Sequence, residues 1–540
     1  MKKIFCKKTL SAFLAAVMIL AMIPVGMISA VAATAGTDYD LGENTITIKT
    51  VDGWKYVSAN AATYAAYDVI LGASLDFKDA TEYGSLFGAT TFTGTLDGKG
   101  NTIKNFSGAV AAIIANVAQS TAADKLVVVK DVNFDSVSLT SSYTNAGSKA
   151  VAGTIFADVI GNHPIKVNSV NISANITVAS SNISIGGVIG SMSCNGGIQI
   201  EKVTFSGELK NTVESGGAMA TGGIVGESRF AVSDNSQASV ISKCHINANL
   251  INRSENGRAS GIAGFWGRGS AGNYSTDLVV EDCYLQGIYS VYKGKEKGRT
   301  GAVLGDCRLA SGNTVTLKNI VSSAALDQYA AIQGTAEADN TVCTSAGYLV
   351  SYGSESTTYN VINCVSTVTA DKPAVHNNNS IEAIKGKTSA QIASLVSYDA
   401  NGFINGVAGT YGYVGDMEAQ VSNVVDGKYI IRFVMPAMTA DMTDVKMTIV
   451  VKNGEEVVHT YEIDCTMWDY LTGYNGRTGF TTYTPDQYGA EKLLAGAIVG
   501  VPTGAAYDFE ISTTFTVNGV EITSTAYGAS VTAQGALVTA

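Results

Sequence analysis

Three carboxylates, Asp131, Asp135 and Asp158, come nearest in type and spacing to a catalytic or calcium-binding set. Hydrolysis of a glycosidic bond needs two or three carboxylates converging on the scissile bond. Lyase chemistry needs an acidic cluster for calcium and a basic residue to take a proton. These three carboxylates instead fall on turns and strand edges, where a solvated role is expected, and Asp97-Gly98 is a turn signal before it is a ligand. The four histidines, His163, His245, His376 and His459, are isolated from one another, and no H-E-x-x-H occurs. His163 precedes Pro164 in a loop, and His245 is expected to face outward from a strand. No catalytic set, metal site or cofactor is expected.

Aromatic residues suggest binding instead. Trp266 follows Phe265 and precedes Gly267 and Arg268, while Tyr284, Tyr289 and Tyr292 come in the next repeat, near Lys293, Lys295 and Lys297. Aromatic planes on adjacent repeats would suit the C–H faces of sugar rings. A second cluster, Trp468, Tyr470 and Tyr474 with Tyr483 and Tyr488, sits in a long connection. Ordinary packing is the alternative reading of both groups.

Composition bounds the class. The chain has 540 residues, 46% hydrophobic and 15% charged, with 58 glycines and 6 prolines. Without a Gly-X-Y period and with so little proline, collagen is excluded, and low charge argues against disorder. A net charge of −11 argues against nucleic acid as a partner. Four lysines at positions 2, 3, 7 and 8 precede an apolar run from Leu10 to Ile28 and an Ala30-Val31-Ala32 site. Residues 1–33 are therefore expected to be a secretory signal peptide. Its removal takes four lysines and no acid, leaving −15 and no transmembrane segment. Secretion is expected, with association to the cell surface left open. Seven cysteines then remain, odd in number and without a CxxC pair, so neither zinc nor a disulfide scaffold is supported.

The residues sit in a drifting repeat. An apolar-glycine unit recurs as AGTIFA (152–157), GGVIG (186–190), GGIVG (222–226), SGIAG (260–264) and GAVLG (301–305). From Gly190 its closing glycines step by 36, 38 and 41 residues. An alternating segment runs between the copies: VKDVNF (129–134), VNSVNI (167–172), IEKVTF (200–205), ISKCHI (241–246), VEDCYL (280–285), VTLKNI (315–320) and VINCV (361–365). Period-two alternation, β-branched residues and frequent Gly, Asn and Ser predict short strands that bury their apolar side by stacking on neighbours. The fold expected over residues 34–400 is a parallel β-solenoid of one or two coils per repeat. Glycines would occupy corners, needing positive φ or close backbone approach. Cys244, Cys283 and Cys364 would stack in one interior ladder. A short helix is expected within residues 50–67, and one at 387–396 would cover the last coil. From 411 to 540 the pattern becomes antiparallel strands with an Asn518-Gly519 hairpin, predicting a small β-sandwich. A helix is expected from Thr484 through Leu494.

TLDGKGNTIKN (95–105) is similar to the element that opens many bacterial secreted β-helices. The N/D-C-Y and G-G-I-V-G elements resemble the GLUG repeat of bacterial surface proteins. Residues 385–396 resemble the capped helix that often follows such repeats. The C-terminal I-R-F-V and I-V-G-V-P segments resemble a β-sandwich module of secreted Clostridia-type proteins, from which no activity carries over. The resemblance implies an all-β, right-handed parallel β-helix in an adhesin-like exported protein. Some relatives are immunoglobulin-cleaving metalloproteases, whose H-E-x-x-H is absent here. The adjacent Asp-Asp and the Gly-His-Gly of β-helical polygalacturonases are absent too. The expected function is non-enzymatic recognition of glycan or another cell-surface polymer. A polysaccharide lyase or hydrolase and a structural spacer are the alternatives.

Overall fold

The computed structural model describes residues 33–540 apart from segments of which 214–217, 231–236, 269–275, 292–297, 327–346, 377–382, 408–417, 465–478 and 484–492 are the longest. Each repeat forms one coil of a parallel β-solenoid. In one coil the chain runs Ile183–Gly186, turns, runs Ile189–Cys194, turns again, and runs Ile198–Asn211. The next repeat lies on it strand for strand, with Ile185 beside Thr221, Ile189 beside Val225 and Phe205 beside Ile246. Five coils carry all three strands, beginning at Ala150, Ile183, Ala218, Asn256 and Arg299. The strands make a short sheet of five, a middle sheet of six and a long sheet of seventeen.

Alternation fills the interior. Along Ile165–Val178 the residues Ile165, Val167, Val170, Ile172, Ala174, Ile176 and Val178 are buried. Two inward residues flank a two-residue gap in each copy, which simple alternation forbids. The chain resolves this with one left-handed residue per coil: Asp131, Ser169, Lys202, Lys243, Asp282, Asn319 and Asn363 all have φ between 51° and 56°. Each resets the parity so that both apolar residues point inward, as a bulge does. Asn and Asp tolerate this region, whereas each lysine there costs about 1–2 kcal/mol. Part of the column is tied together, since Asn319 Nδ2 donates to Asp282 Oδ1 at 2.9 Å and Asn363 Nδ2 to Asn319 Oδ1 at 2.7 Å.

The repeat glycines are needed for a different reason. A Cβ on Gly187 would meet the Gly223 carbonyl at 2.0 Å, and one on Gly223 the Gly261 carbonyl at 2.2 Å. Close approach between coils, and not positive φ, excludes a side chain at these two. The residue after each left-handed position lines one interior column: Val132, Val170, Val203, Cys244, Cys283, Ile320 and Cys364. The three cysteines are buried free thiols there, with Ile320 interrupting the ladder.

The N-terminal end is closed by a helix, Val51–Ala59, whose Thr50 Oγ1 accepts from the Gly53 amide. Its Trp54 is fully buried against Phe77 and Phe106 and donates to the Gly84 carbonyl at 3.0 Å. At the other end a short helix, Ser389–Ala393, precedes an antiparallel hairpin, Val396–Tyr398 with Ile404–Val407. Ile392, Ile404 and Val407 pack against Tyr284, Val321 and Val365, apolar residues on the outward side of the long sheet that need cover.

Beyond residue 417 the strands are antiparallel and form two sheets. One has four strands, Glu418–Val425, Lys428–Met438, Leu493–Pro502 and Gly479–Tyr483. The other is built around Met442–Asn453 and Tyr507–Val517, and Tyr507–Val517 also pairs antiparallel with Val520–Thr523. Ile449, Val451, Phe509, Ile511 and Val531 are among its buried residues. Tyr429 of the first sheet donates to the Ala533 carbonyl of the second unit at 2.9 Å. The helix expected through Leu494 is a correction, because Leu493 and Leu494 already belong to a strand; residues 484–492 lie outside the described residues.

Candidate functional site

The outward sides of the short and middle sheets face each other across a re-entrant corner. The close glycine contacts fold the two sheets tightly: a Cβ on Gly190 would lie 2.7 Å from the Ala152 carbonyl, and Ser184 Oγ already donates to Gly190 O at 2.6 Å. The closing glycine is the second residue of its middle strand, and alternation sends the first and third residues after that glycine outward and the second inward. Asp158, Ser191, Glu227, Phe265 and Asp306 consequently share one outward register, one per coil. Opposite them on the short sheet stand Ser184, Ala220, Arg258 and Arg299.

Two charge clusters occupy this groove. Glu227, 1% exposed, is bonded by Lys149 from two coils before and by Arg229 of its own strand. Asp306, fully buried, accepts from Arg258 Nε at 2.7 Å, from Arg308 Nε and Nη2 at 3.0 Å each, and from Arg299. The Phe265 ring lies between the clusters, with the Arg258 and Arg229 guanidinium carbons 5.3 and 5.8 Å from its centre. Tyr352 lies under Arg299 at 3.8 Å and Arg308 at 5.2 Å, with the His376 ring 5.3 Å away.

Burial opposes ionisation of Asp306, but Arg258, Arg299 and Arg308 outweigh it and hold its carboxyl below the usual range. Burial, and then Arg299, lowers the His376 imidazole. Asp158 differs. Burial pushes its carboxyl up to about 6, against hydrogen bonds from Ser191 and the Val159 amide. Its Oδ1 is buried with no hydrogen-bond partner among the described residues. Two of the three groove carboxylates are thus held in ion pairs. The arrangement favours binding of polar or charged ligands over proton transfer.

A second cleft, of about 410 Å³, lies where the hairpin crosses the left-handed column. Lys99, Asp131, Asn171, Lys202, Asp399 and Phe403 line it, and Lys202 Nζ lies 3.0 Å from Asp399 Oδ2.

The residues singled out from the sequence are placed differently from the expected sugar-stacking row. Trp266 and Tyr289 are fully buried. Trp266 is the second residue after Gly264, so parity turns it inward, as it turns Met192, Ser228 and Cys307. Tyr284 does face outward, but it is 3% exposed beneath the hairpin and stacks on His245 at 4.9 Å. Arg268 ends the strand Ala263–Arg268 opposite Phe230. Tyr292, Trp468, Tyr470 and Tyr474 lie outside the described residues. The three carboxylates weighed first do not meet. Asp131 lines the cleft, Asp158 lies in the groove, and Asp135 accepts from Ser136 Oγ at 3.1 Å. Among the described residues no group of three or more His, Cys, Asp or Glu could hold a metal ion. No described helix is long and apolar enough to cross a membrane.

The groove residues were missed, although a signal existed. Glu227-Ser-Arg229 and Asp306-Cys-Arg308 place an acid and an arginine at the first and third positions after a closing glycine.

No protein-family model and no curated protein matches the chain. Among solved structures, the chain is similar to one described as "a putative immunoglobulin A1 protease from Bacteroides ovatus", at 16% identity and a TM-score of 0.37, covering 66% of this chain and 91% of that one.

Proposed function

We propose that this is an exported, adhesin-like, non-enzymatic protein, a right-handed β-helix followed by a β-sandwich, which recognises an extracellular polymer along its solenoid. The observation that carries this reading is the groove. Its outward side chains recur once per coil, at the ~4.8 Å spacing of stacked strands. Four of its five residues, Asp158, Ser191, Glu227 and Asp306, are polar, and polar groups recurring along one axis suit a ligand that also repeats along one axis. Tyr352, half-buried against Arg299 and Arg308, adds aromatic surface beside the charges. The secretory character of residues 1–33 supports a ligand outside the cell.

The enzymatic alternative has one observation in its favour, the elevated Asp158 carboxyl, whose Oδ1 has no partner among the described residues. Glycoside hydrolysis needs a second carboxylate free to act, and the nearest on its register, Glu227, is bound by Lys149 and Arg229. A glycan array combined with a reducing-sugar release assay on polysaccharides separates the readings. Binding without release is the expected result, and release of sugar would overturn the non-enzymatic reading. Silence in both assays would leave a structural spacer.

A further inference from the structure

The charges around Asp306 do not balance. Three guanidinium groups, of Arg258, Arg299 and Arg308, surround one carboxylate, and among the described residues no second carboxylate joins them. Their side chains are 11%, 19% and 42% exposed, so the two positive charges in excess sit in a mostly dehydrated site. Buried charge is costly unless it is paired. The imbalance is also against the sign of the whole chain, which carries −11.

The geometry leaves one direction open. Asp306 takes the inner face of the cluster, while Arg308 and the Tyr352 ring form its outer side, with His376 beside the ring. Arginine presents a planar fork of donors that matches the oxygens of a carboxylate or sulfate. Building on the reading of the groove as a polymer site, we propose that the Arg258–Arg299–Arg308 cluster binds a carboxylate or sulfate group carried by an acidic polysaccharide. Tyr352 would lie against the sugar that carries the charge. The ~10 Å separation of alternate coils places the Lys149–Arg229 cluster two coils away, where a second acidic group of the same polymer would fall.

The test uses the full exported chain and titrates it with dextran, dextran sulfate, polygalacturonate and polyglutamate. Dextran sulfate or polygalacturonate should bind at least tenfold more tightly than dextran, and whichever binds better identifies the acidic group. Arg308→Gln, at the half-exposed edge, should weaken that binding about tenfold or more while leaving the melting temperature nearly unchanged. Inorganic sulfate should compete in the wild-type chain, a readout that needs no variant. Equal binding of dextran and dextran sulfate would overturn the acidic-group proposal and leave the polymer reading standing. Polyglutamate binding as tightly as the acidic polysaccharides would also overturn it, since charge alone would then suffice. Failure to bind any polysaccharide would remove both readings.

Discussion

Arg258 and Asp306 come from successive coils and from different sheets, yet Arg258 Nε lies 2.7 Å from Asp306 Oδ2. The pair ties the short sheet of one coil to the middle sheet of the next, across the outside of the corner. Asp306 also pairs with Arg299, from the short sheet of its own coil, and with Arg308 of its own strand.

Removing that carboxylate should therefore be severe. Asp306→Ala leaves three guanidiniums facing one another in a mostly dehydrated corner, and breaking a buried pair of this kind costs about 3–5 kcal/mol. Thermal unfolding should show a large fall in melting temperature. Added sulfate should recover part of it, because the anion would stand where the carboxylate was. A fall of less than about 1 kcal/mol would mean that water already screens the cluster.

The glycines make a separate prediction. Gly187→Ala places a methyl 2.0 Å from the Gly223 carbonyl of the next coil and 2.8 Å from the Phe205 ring. The backbone cannot retreat, because the Gly187 amide is bonded to the Gly222 carbonyl at 3.0 Å. Overpacking of this kind costs about 1–3 kcal/mol or more. Gly312→Ala, with φ of 88° and open space around it, should cost only about 1 kcal/mol through backbone strain. Chemical denaturation of the two variants should rank them in that order.

These two sites show what the sequence carried and what it did not. The closing glycines and the paired inward residues recur often enough to disclose a solenoid. The left-handed column was hidden because Lys202, Lys243 and Ser169 are not residues that favour positive φ. Only counting parity from Val167 to Val170, both inward, exposes the extra residue. The same count from Gly264 turns Trp266 inward and Phe265 outward, whereas a tryptophan beside an arginine reads as surface. Acids after a closing glycine read as solvated ends until the corner brings Arg258 and Arg299 against them.

The left-handed column gives a prediction with two signs. Lys243 pays for its φ of 53° with little return, since its ammonium lies 3.8 Å from Glu201. Lys243→Gly should stabilise the chain by up to about 1 kcal/mol. Asn319 both donates to Asp282 and accepts from Asn363, so Asn319→Gly relieves the same strain but removes two side-chain bonds. Each is worth about 0.5–1.5 kcal/mol, so this variant should be neutral to destabilising. Urea midpoints moving in the same direction for both would show that the amide column contributes nothing.

Asp158 gives the groove a pH dependence below neutrality. Its carboxyl titrates near 6 when folded, against an ordinary value of 3.8, because burial disfavours the charged form. Between about pH 4 and 6 the folded chain therefore holds a proton that the unfolded chain has lost. Stability from this group is fully present below pH 4, falls as pH rises through that window, and is gone above it. A shift of about two units corresponds to roughly 3 kcal/mol at most. Asp158→Asn keeps the shape without the charge and should remove this slope, so its stability should exceed that of the wild type at pH 7 and approach it near pH 4. Denaturant midpoints taken at intervals from pH 4 to 7 measure this. Parallel profiles for the two chains would show that Asp158 is solvated. Such a result would also remove the one observation that favours an enzyme.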